Sequence, residues 1–230
     1  MNSTTLFLPG WGIPTQCYSA YADESTTIFD YGFFGKDKNL DFNKLHLEID
    51  KLLKDDAVLI AHSMGSAIAL KAATELDKVK ALVLISPFAR FTADLNYLGQ
   101  APSSVDVMSR MITSRPDTIL RGFYRDTFFP EKNNIPLPKS HNALALKDGL
   151  NFLAHVDYRF LLGDIQVPVL IIQGSSDQIV NPKLAHFMDK NLVTSEYVEI
   201  EKGGHGLPFT HLDQCQKLIT DFCEKLVVTT

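Results

Sequence analysis

The period of the hydrophobic positions changes several times along the chain, and each change marks an element. Between 57 and 73 two apolar runs are separated by His62-Ser63-Met64-Gly65. The first, Ala57-Val58-Leu59-Ile60-Ala61, is short, contains β-branched residues and does not alternate, as in a strand buried on both faces. The second, Ala67-Ile68-Ala69-Leu70 leading through Lys71 to Ala72-Ala73, predicts a buried helix. Further strands are expected at 4–8, 26–29, 79–85, 167–174 and 196–200, the last partly alternating and so nearer an edge. Buried strands alternating with helices predict an α/β fold with a mostly parallel sheet flanked by helices.

The helices are read from 3.6-residue periodicity. Residues 42–54 carry Leu45, Ile49, Leu52 and Leu53 on one face, with His46 expected at the surface among charged neighbours. A final helix, about 211–226, turns Leu212, Cys215, Leu218, Ile219, Phe222 and Cys223 inward. Residues 88–160 break the strand rhythm. Ser103-Ser104 can cap a segment with Val105, Met108, Met111 and Ile112; Pro116 suits the first position of a helix with Ile119, Leu120, Phe123 and Tyr124. A third helix runs from Asn142 to Leu153, with Leu144, Leu146, Leu150 and Leu153 as its apolar positions. The expectation is one domain over 1–230, its core about 1–87 and 161–230, with a helical lid of about 88–160 over the sheet edge.

Composition narrows the class. At 230 residues, 45% hydrophobic and 21% charged, the chain can bury a full core and is neither disordered nor membrane-rich. A formal net charge of −5 argues against general nucleic-acid binding. The N-terminal MNSTTLFLPGWG lacks a basic leader, and no stretch approaches the roughly 18 apolar residues of a span. Cys17, Cys215 and Cys223 are odd in number and have no framework spacing, so a reducing compartment is expected, and with no leader or span a cytoplasmic one. A monomer is expected. Five of the six arginines, Arg90, Arg110, Arg115, Arg121 and Arg125, fall in the lid, and Arg159 lies just beyond it. Their planar forks suit an anionic partner; the alternative is a solvated face paired with Asp117, Asp126 and Glu131.

The chemistry centres on Ser63. A tight turn from buried strand to buried helix needs small residues, supplied by Gly65 and Ser66, and throws Ser63 out beside the unpaired N–H groups of a helix N-terminus. This is a nucleophile-elbow pattern with Ala61 at the first glycine position. The alternative is a serine in an ordinary turn. Pro9-Gly10-Trp11-Gly12 follows the first strand and can offer the Trp11 N–H beside that of Met64 as an oxyanion hole; otherwise Trp11 is a packed aromatic. Asp177 falls just past a strand end, where an aspartate is also common in plain turns. His205, flanked by glycines after a late strand, is either the base or an exposed loop residue. The order Ser63, Asp177, His205, each just after a strand, fits a triad in which His205 activates Ser63 and Asp177 orients His205. His62 should point away from the elbow. No metal-ligand cluster or phosphate loop competes, so no cofactor is expected.

Pro9-Gly10-Trp11-Gly12, the elbow, the arginine-bearing lid, Gly149-Leu150, Asp157, Arg159, Leu162, and Val167-Pro168-Val169 leading to Gly174 and Asp177 resemble the biotin-pathway pimeloyl-acyl-carrier-protein methyl ester esterases of the α/β-hydrolase superfamily. Pro9 stands where those enzymes usually have His, Ala61 where the elbow has Gly, and 30–35 lacks the usual Pro before its glycine. The resemblance implies an α/β-hydrolase fold and hydrolysis of a carrier-bound methyl ester to methanol and the free acid. It further implies carrier-protein docking by Arg110, Arg115, Arg121 and Arg125, and an acyl tunnel lined by Met108, Met111, Phe123 and Tyr124. Competing readings are a general carboxylesterase, a thioesterase, a menaquinone-pathway lyase or a non-enzymatic binding protein of the same fold.

Overall fold

The computed structural model describes residues 4–35, 38–133 and 135–228. Six strands, β1 (Thr5–Leu8), β2 (Thr26–Ile28), β3 (Ala57–His62), β4 (Val79–Ile85), β5 (Val169–Gly174) and β6 (Ser195–Ile200), form one sheet ordered β2-β1-β3-β4-β5-β6. Every pairing is parallel. Each strand therefore needs a crossover, and the helices that make them cover the sheet. The unbroken apolar runs fall where both faces are covered: β3 and β5 are buried at every residue, and β4 at all but Lys80. Edge strand β6 keeps Ser195, Tyr197 and Val198 half-buried with Glu196 and Glu199 exposed, the source of its partial alternation.

The helices are α1 (Leu45–Asp50), α2 (Met64–Glu75), α3 (Pro102–Met111), α4 (Pro116–Phe128), α5 (Ala143–His155), α6 (Pro182–Asn191), α7 (Leu207–Thr210) and α8 (Leu212–Val228). The expected helix over 42–54 is shorter. A 3-10 turn at Phe42–Lys44 leads into α1, and the N–H groups of both Leu52 and Leu53 close onto the Ile49 carbonyl, which ends it. Leu53 still turns inward, but Leu52 is 46% exposed. His46 is half-buried, not a surface residue, with its Nδ1 unpartnered beside Phe42, Ile68 and Tyr158. Helix α6 was not anticipated, although Asn181 caps it through its side chain and Leu184, Ala185 and Met188 form its buried face.

Between β4 and β5 lie α3, α4 and α5, with α3 packed against α5 and touching α4. Pro116 opens α4 and the Asn142 side chain caps α5, as their patterns predict. Ser103 and Ser104 do not cap α3: Pro102, with its fixed φ, takes the first helical position, which leaves Ala101 at the cap position with no side-chain hydrogen bond. Leu144 is 64% exposed, while Leu146, Leu150 and Leu153 carry the buried face of α5. The base of this insert is stapled. Arg90 and Asp157 form an antiparallel bridge and an ion pair of 2.9 Å, and Arg159 reaches Asp157 at 2.7 Å and Asp94 at 2.9 Å. Hydrogen bonds from Arg159, then from Arg90, hold the Asp157 carboxyl down to about 2. Arg90 and Arg159 are thus committed within the fold.

Candidate active site

The turn after β3 is as tight as its sequence requires. Ser63 sits at φ 54° and ψ −118°, a left-handed conformation costly for a non-glycine residue and held here by its surroundings. Its N–H donates to the Ile85 carbonyl (3.0 Å), and Ser66 Oγ closes onto the Ser63 carbonyl (2.5 Å). A Cβ added to Gly65 would lie 2.1 Å from the Leu8 carbonyl oxygen, so α2 can press on the end of β1 only with glycine there.

The three residues drawn from separate strand ends meet. Ser63 Oγ lies 2.9 Å from His205 Nε2, and His205 Nδ1 lies 2.8 Å from Asp177 Oδ2. Because a carboxylate can only accept, Nδ1 carries the hydrogen and a neutral ring presents its Nε2 lone pair to the serine. Asp177 is itself fixed. Its Oδ1 accepts the N–H groups of Ile179 and Val180, each at 2.8 Å, and Oδ2 accepts Gln173 Nε2 at 3.2 Å. His205 is fully buried, which removes the exposed-loop alternative. Its loop is clamped on both sides: Ser176 N–H bonds Gly203 O (2.8 Å), Gly206 N–H bonds Thr127 O (2.8 Å), and a Cβ on Gly204 would strike the Phe129 carbonyl.

Met64 follows Ser63 as the first residue of α2, and Trp11 follows Gly10, whose Cβ would lie 3.2 Å from Ser63 Cβ; the main-chain N–H of neither Trp11 nor Met64 is hydrogen-bonded to another described residue. The Trp11 side chain is packed, its Nε1 donating to the Leu146 carbonyl (2.8 Å) and its ring meeting Phe123 edge-on. Gly149 makes room for it, since a Cβ there would lie 2.7 Å from Trp11 Cδ1. Packed aromatic and available backbone donor are therefore compatible roles.

A cavity of about 350 Å³ borders Trp11 on one side and Gln178-Ile179 on the other, beneath α3, α4 and α5. Met108, Phe123, Ile119 and Leu150 give it an apolar wall. Met111 and Tyr124 do not line it, contrary to expectation: Tyr124 is turned under α4, where its hydroxyl donates to the Gly12 carbonyl (2.8 Å). A larger hollow of about 570 Å³ lies between Tyr21, Thr26 and Ile219, away from Ser63, Asp177 and His205. Outside, Arg110, Arg115, Arg121 and Arg125 are exposed. Among the described residues only Arg125 finds an acidic partner, its neighbour Asp126 at 2.7 Å; the pairing expected of a merely solvated face is absent for the other three.

Sequence patterns left out two contributors. Gln173, the penultimate residue of β5, supports Asp177, and Tyr18, on a 3-10 turn over Thr15–Tyr21, supports His62. Nothing in their spacing distinguishes them from packing residues. His62 does point away from the serine, with Nδ1 2.9 Å from Tyr18 Oη and Nε2 2.9 Å from the His205 carbonyl.

Residues 5–218 match the alpha/beta hydrolase family, and the chain belongs to it. It is 30% identical over 178 residues, 73% of this chain and 69% of the relative, to a pimeloyl-[acyl-carrier protein] methyl ester esterase of Neisseria meningitidis serogroup B. The esterase of the same name from Aliivibrio salmonicida is 23% identical over 232 residues, covering 93% of this chain and 89% of that one. The fold also matches an esterase from Exiguobacterium antarcticum with a TM-score of 0.86 at 22% identity, over 96% of this chain and 92% of that one. Family and relatives place the chain among the carboxylic ester hydrolases. No helix among the described residues is long and apolar enough to cross a membrane.

Proposed function

We propose that the chain is a serine esterase that hydrolyses the methyl ester of pimeloyl-acyl-carrier protein in biotin synthesis, in the cytoplasm. The observation that carries the chemistry is the continuous hydrogen-bonded line from Ser63 through His205 to Asp177. In this mechanism His205 Nε2 takes the Ser63 proton as Oγ attacks the ester carbonyl. The Trp11 and Met64 N–H groups hold the resulting oxyanion, each worth about 10²–10³ in rate. Collapse breaks the bond to the methoxy oxygen, which leaves as methanol with the proton from His205. Water then gives a proton to His205 and attacks the acyl-enzyme, and the second collapse releases the carboxylic acid and restores Ser63. Asp177 keeps its charge throughout and stabilises the imidazolium.

The names of the relatives support the choice of substrate. On this reading the acyl chain occupies the cavity walled by Met108 and Phe123, and Arg110, Arg115, Arg121 and Arg125 receive the acidic carrier. The test is methanol release from pimeloyl-acyl-carrier-protein methyl ester by the protein and by Ser63→Ala. Release that falls by about 10⁴-fold or more in the variant is expected. Cleavage of small aryl esters without methanol release would instead assign a general carboxylesterase.

A further inference from the structure

His62 and Tyr18 are buried polar residues that the proposed mechanism does not use. Their hydrogen bonds have a single consistent direction. The His205 main-chain carbonyl can only accept, so His62 Nε2 donates to it across 2.9 Å. Burial, and then the neighbouring His205 ring, push the His62 pKa down to about 3, so the ring is neutral and Nδ1 is an acceptor. Tyr18 must then donate its hydroxyl proton to Nδ1 (2.9 Å), which leaves the Tyr18 oxygen to accept the Gly10 N–H (3.1 Å). The line runs from the Gly10 amide, next to Trp11, to the carbonyl of His205. Ser86 Oγ also donates to that carbonyl, at 3.2 Å.

Packing reinforces the same link. The Tyr18 ring lies 4.9 Å from that of Phe7 in β1, tilted by 47°, and 4.9 Å from that of Phe209, edge-on, in α7 just after the His205 loop. A side chain on Gly10 would crowd this line, since its Cβ would lie 3.0 Å from His62 Nδ1 and 3.2 Å from Ser63 Cβ. We infer that Tyr18 and His62 are positioning residues: a strut that holds the Gly10-Trp11 loop and the His205 loop at a fixed separation across the elbow. Resting on the serine-esterase reading, it ties the loop offering an oxyanion donor to the loop carrying the base. Such geometry must hold within roughly 0.5 Å for catalysis.

The two halves of the His62 contact can be separated by substitution. Glutamine places an amide donor where Nε2 was and can keep the bond to His205, whereas asparagine reaches Tyr18 but not His205. Hydrolysis of p-nitrophenyl acetate by wild type, His62→Gln, His62→Asn and Tyr18→Phe would be measured per Ser63 titrated with a fluorophosphonate. The strut predicts kcat per titrated site in the order wild type, His62→Gln, His62→Asn, with a fall of about 100-fold for the last, KM within about twofold, and Tyr18→Phe down about tenfold. Wild-type kcat in His62→Asn, or equal losses in Asn and Gln, would overturn it. If neither His62 variant folds, Tyr18→Phe decides: a full rate per titrated site rejects the strut and a tenfold fall supports it. Wild-type protein that takes up no fluorophosphonate would sink the serine-esterase reading itself.

Discussion

The C-terminal edge of the sheet and the helical insert above it solve opposite problems. At the sheet edge, Ser63, Asp177 and His205 are at most 7% exposed and each is held by named hydrogen bonds. In the insert, Arg110, Arg115 and Arg121 face solvent without acidic partners, and an apolar cavity is left open beneath them. The first region has no slack and the second keeps both room and charge to spare. Substrate selection is therefore left to the outer faces and open cavity of the insert, while its inner contacts, Thr127 and Phe129 on the His205 loop and Leu146 on Trp11, belong with the reaction geometry. The exposed faces can vary without disturbing the chemistry.

The strongest attack on that contrast is at Gly65. An alanine there must displace the Leu8 carbonyl, which is backbone and cannot swing aside. Gly65→Ala should cost about 3 kcal/mol and lower the melting temperature by about 6–12 °C. An unchanged melting temperature would mean that the sheet edge yields as readily as a surface loop. Acid provides a second probe. His62 binds its proton near 6.5 when unfolded but only near about 3 when folded. Between those values the unfolded state holds more protons, so stability falls as pH is lowered, by up to about 1.4 kcal/mol per pH unit. Urea midpoints from pH 7 to 5 should fall more steeply for wild type than for His62→Gln. Parallel curves would mean that His62 is protonated in the folded protein.

How much of this was legible in the sequence follows the same division. The strands of the sheet centre announce themselves because burial on both faces leaves only apolar residues, and a serine turn between two such runs admits few side chains. Asp177 and His205 could be placed because sites in such sheets form at strand C-termini. Tyr18 and Gln173 could not, since a hydrogen bond to a residue distant in sequence leaves no periodic trace. In the insert, periodicity gave the helices but not which side of each faces the cavity. Tyr124 and Phe123 are neighbours in one helix, yet one bonds Gly12 from beneath and the other lines the cavity. Leu144 looked like a core position and is exposed, because two residues from Leu146 is about half a turn of helix, on the side opposite Leu146, Leu150 and Leu153. Arginine partners depend on tertiary placement, so charge counting alone could not separate the stapled Arg90 and Arg159 from the four that are exposed.

Those exposed arginines sharpen the contrast in the other direction. On the proposed docking role, Arg121→Ala with Arg125→Ala should raise KM for the carrier-bound ester about tenfold, roughly 1.4 kcal/mol. The loss should shrink as salt is added, while kcat on small esters stays unchanged. Equal losses on carrier-bound and small esters would show that α4 acts on the chemistry and not on capture of the carrier.

The smallest effect expected is at Gly122, in α4 on the cavity wall, where an added Cβ would meet no heavy atom within 4 Å. The same chemical change that the elbow cannot accept should here be favourable, because alanine restricts the unfolded chain and suits a helix interior better than glycine. Gly122→Ala should gain about 0.5–1 kcal/mol and raise the melting temperature by about 1–4 °C. Because Gly122 lines the cavity, kcat/KM across p-nitrophenyl esters from acetate to octanoate should fall first at the longest acyl chain. A loss of stability would show that this part of the insert is packed as tightly as the elbow, and the division between a fixed sheet edge and a roomy cover would not hold.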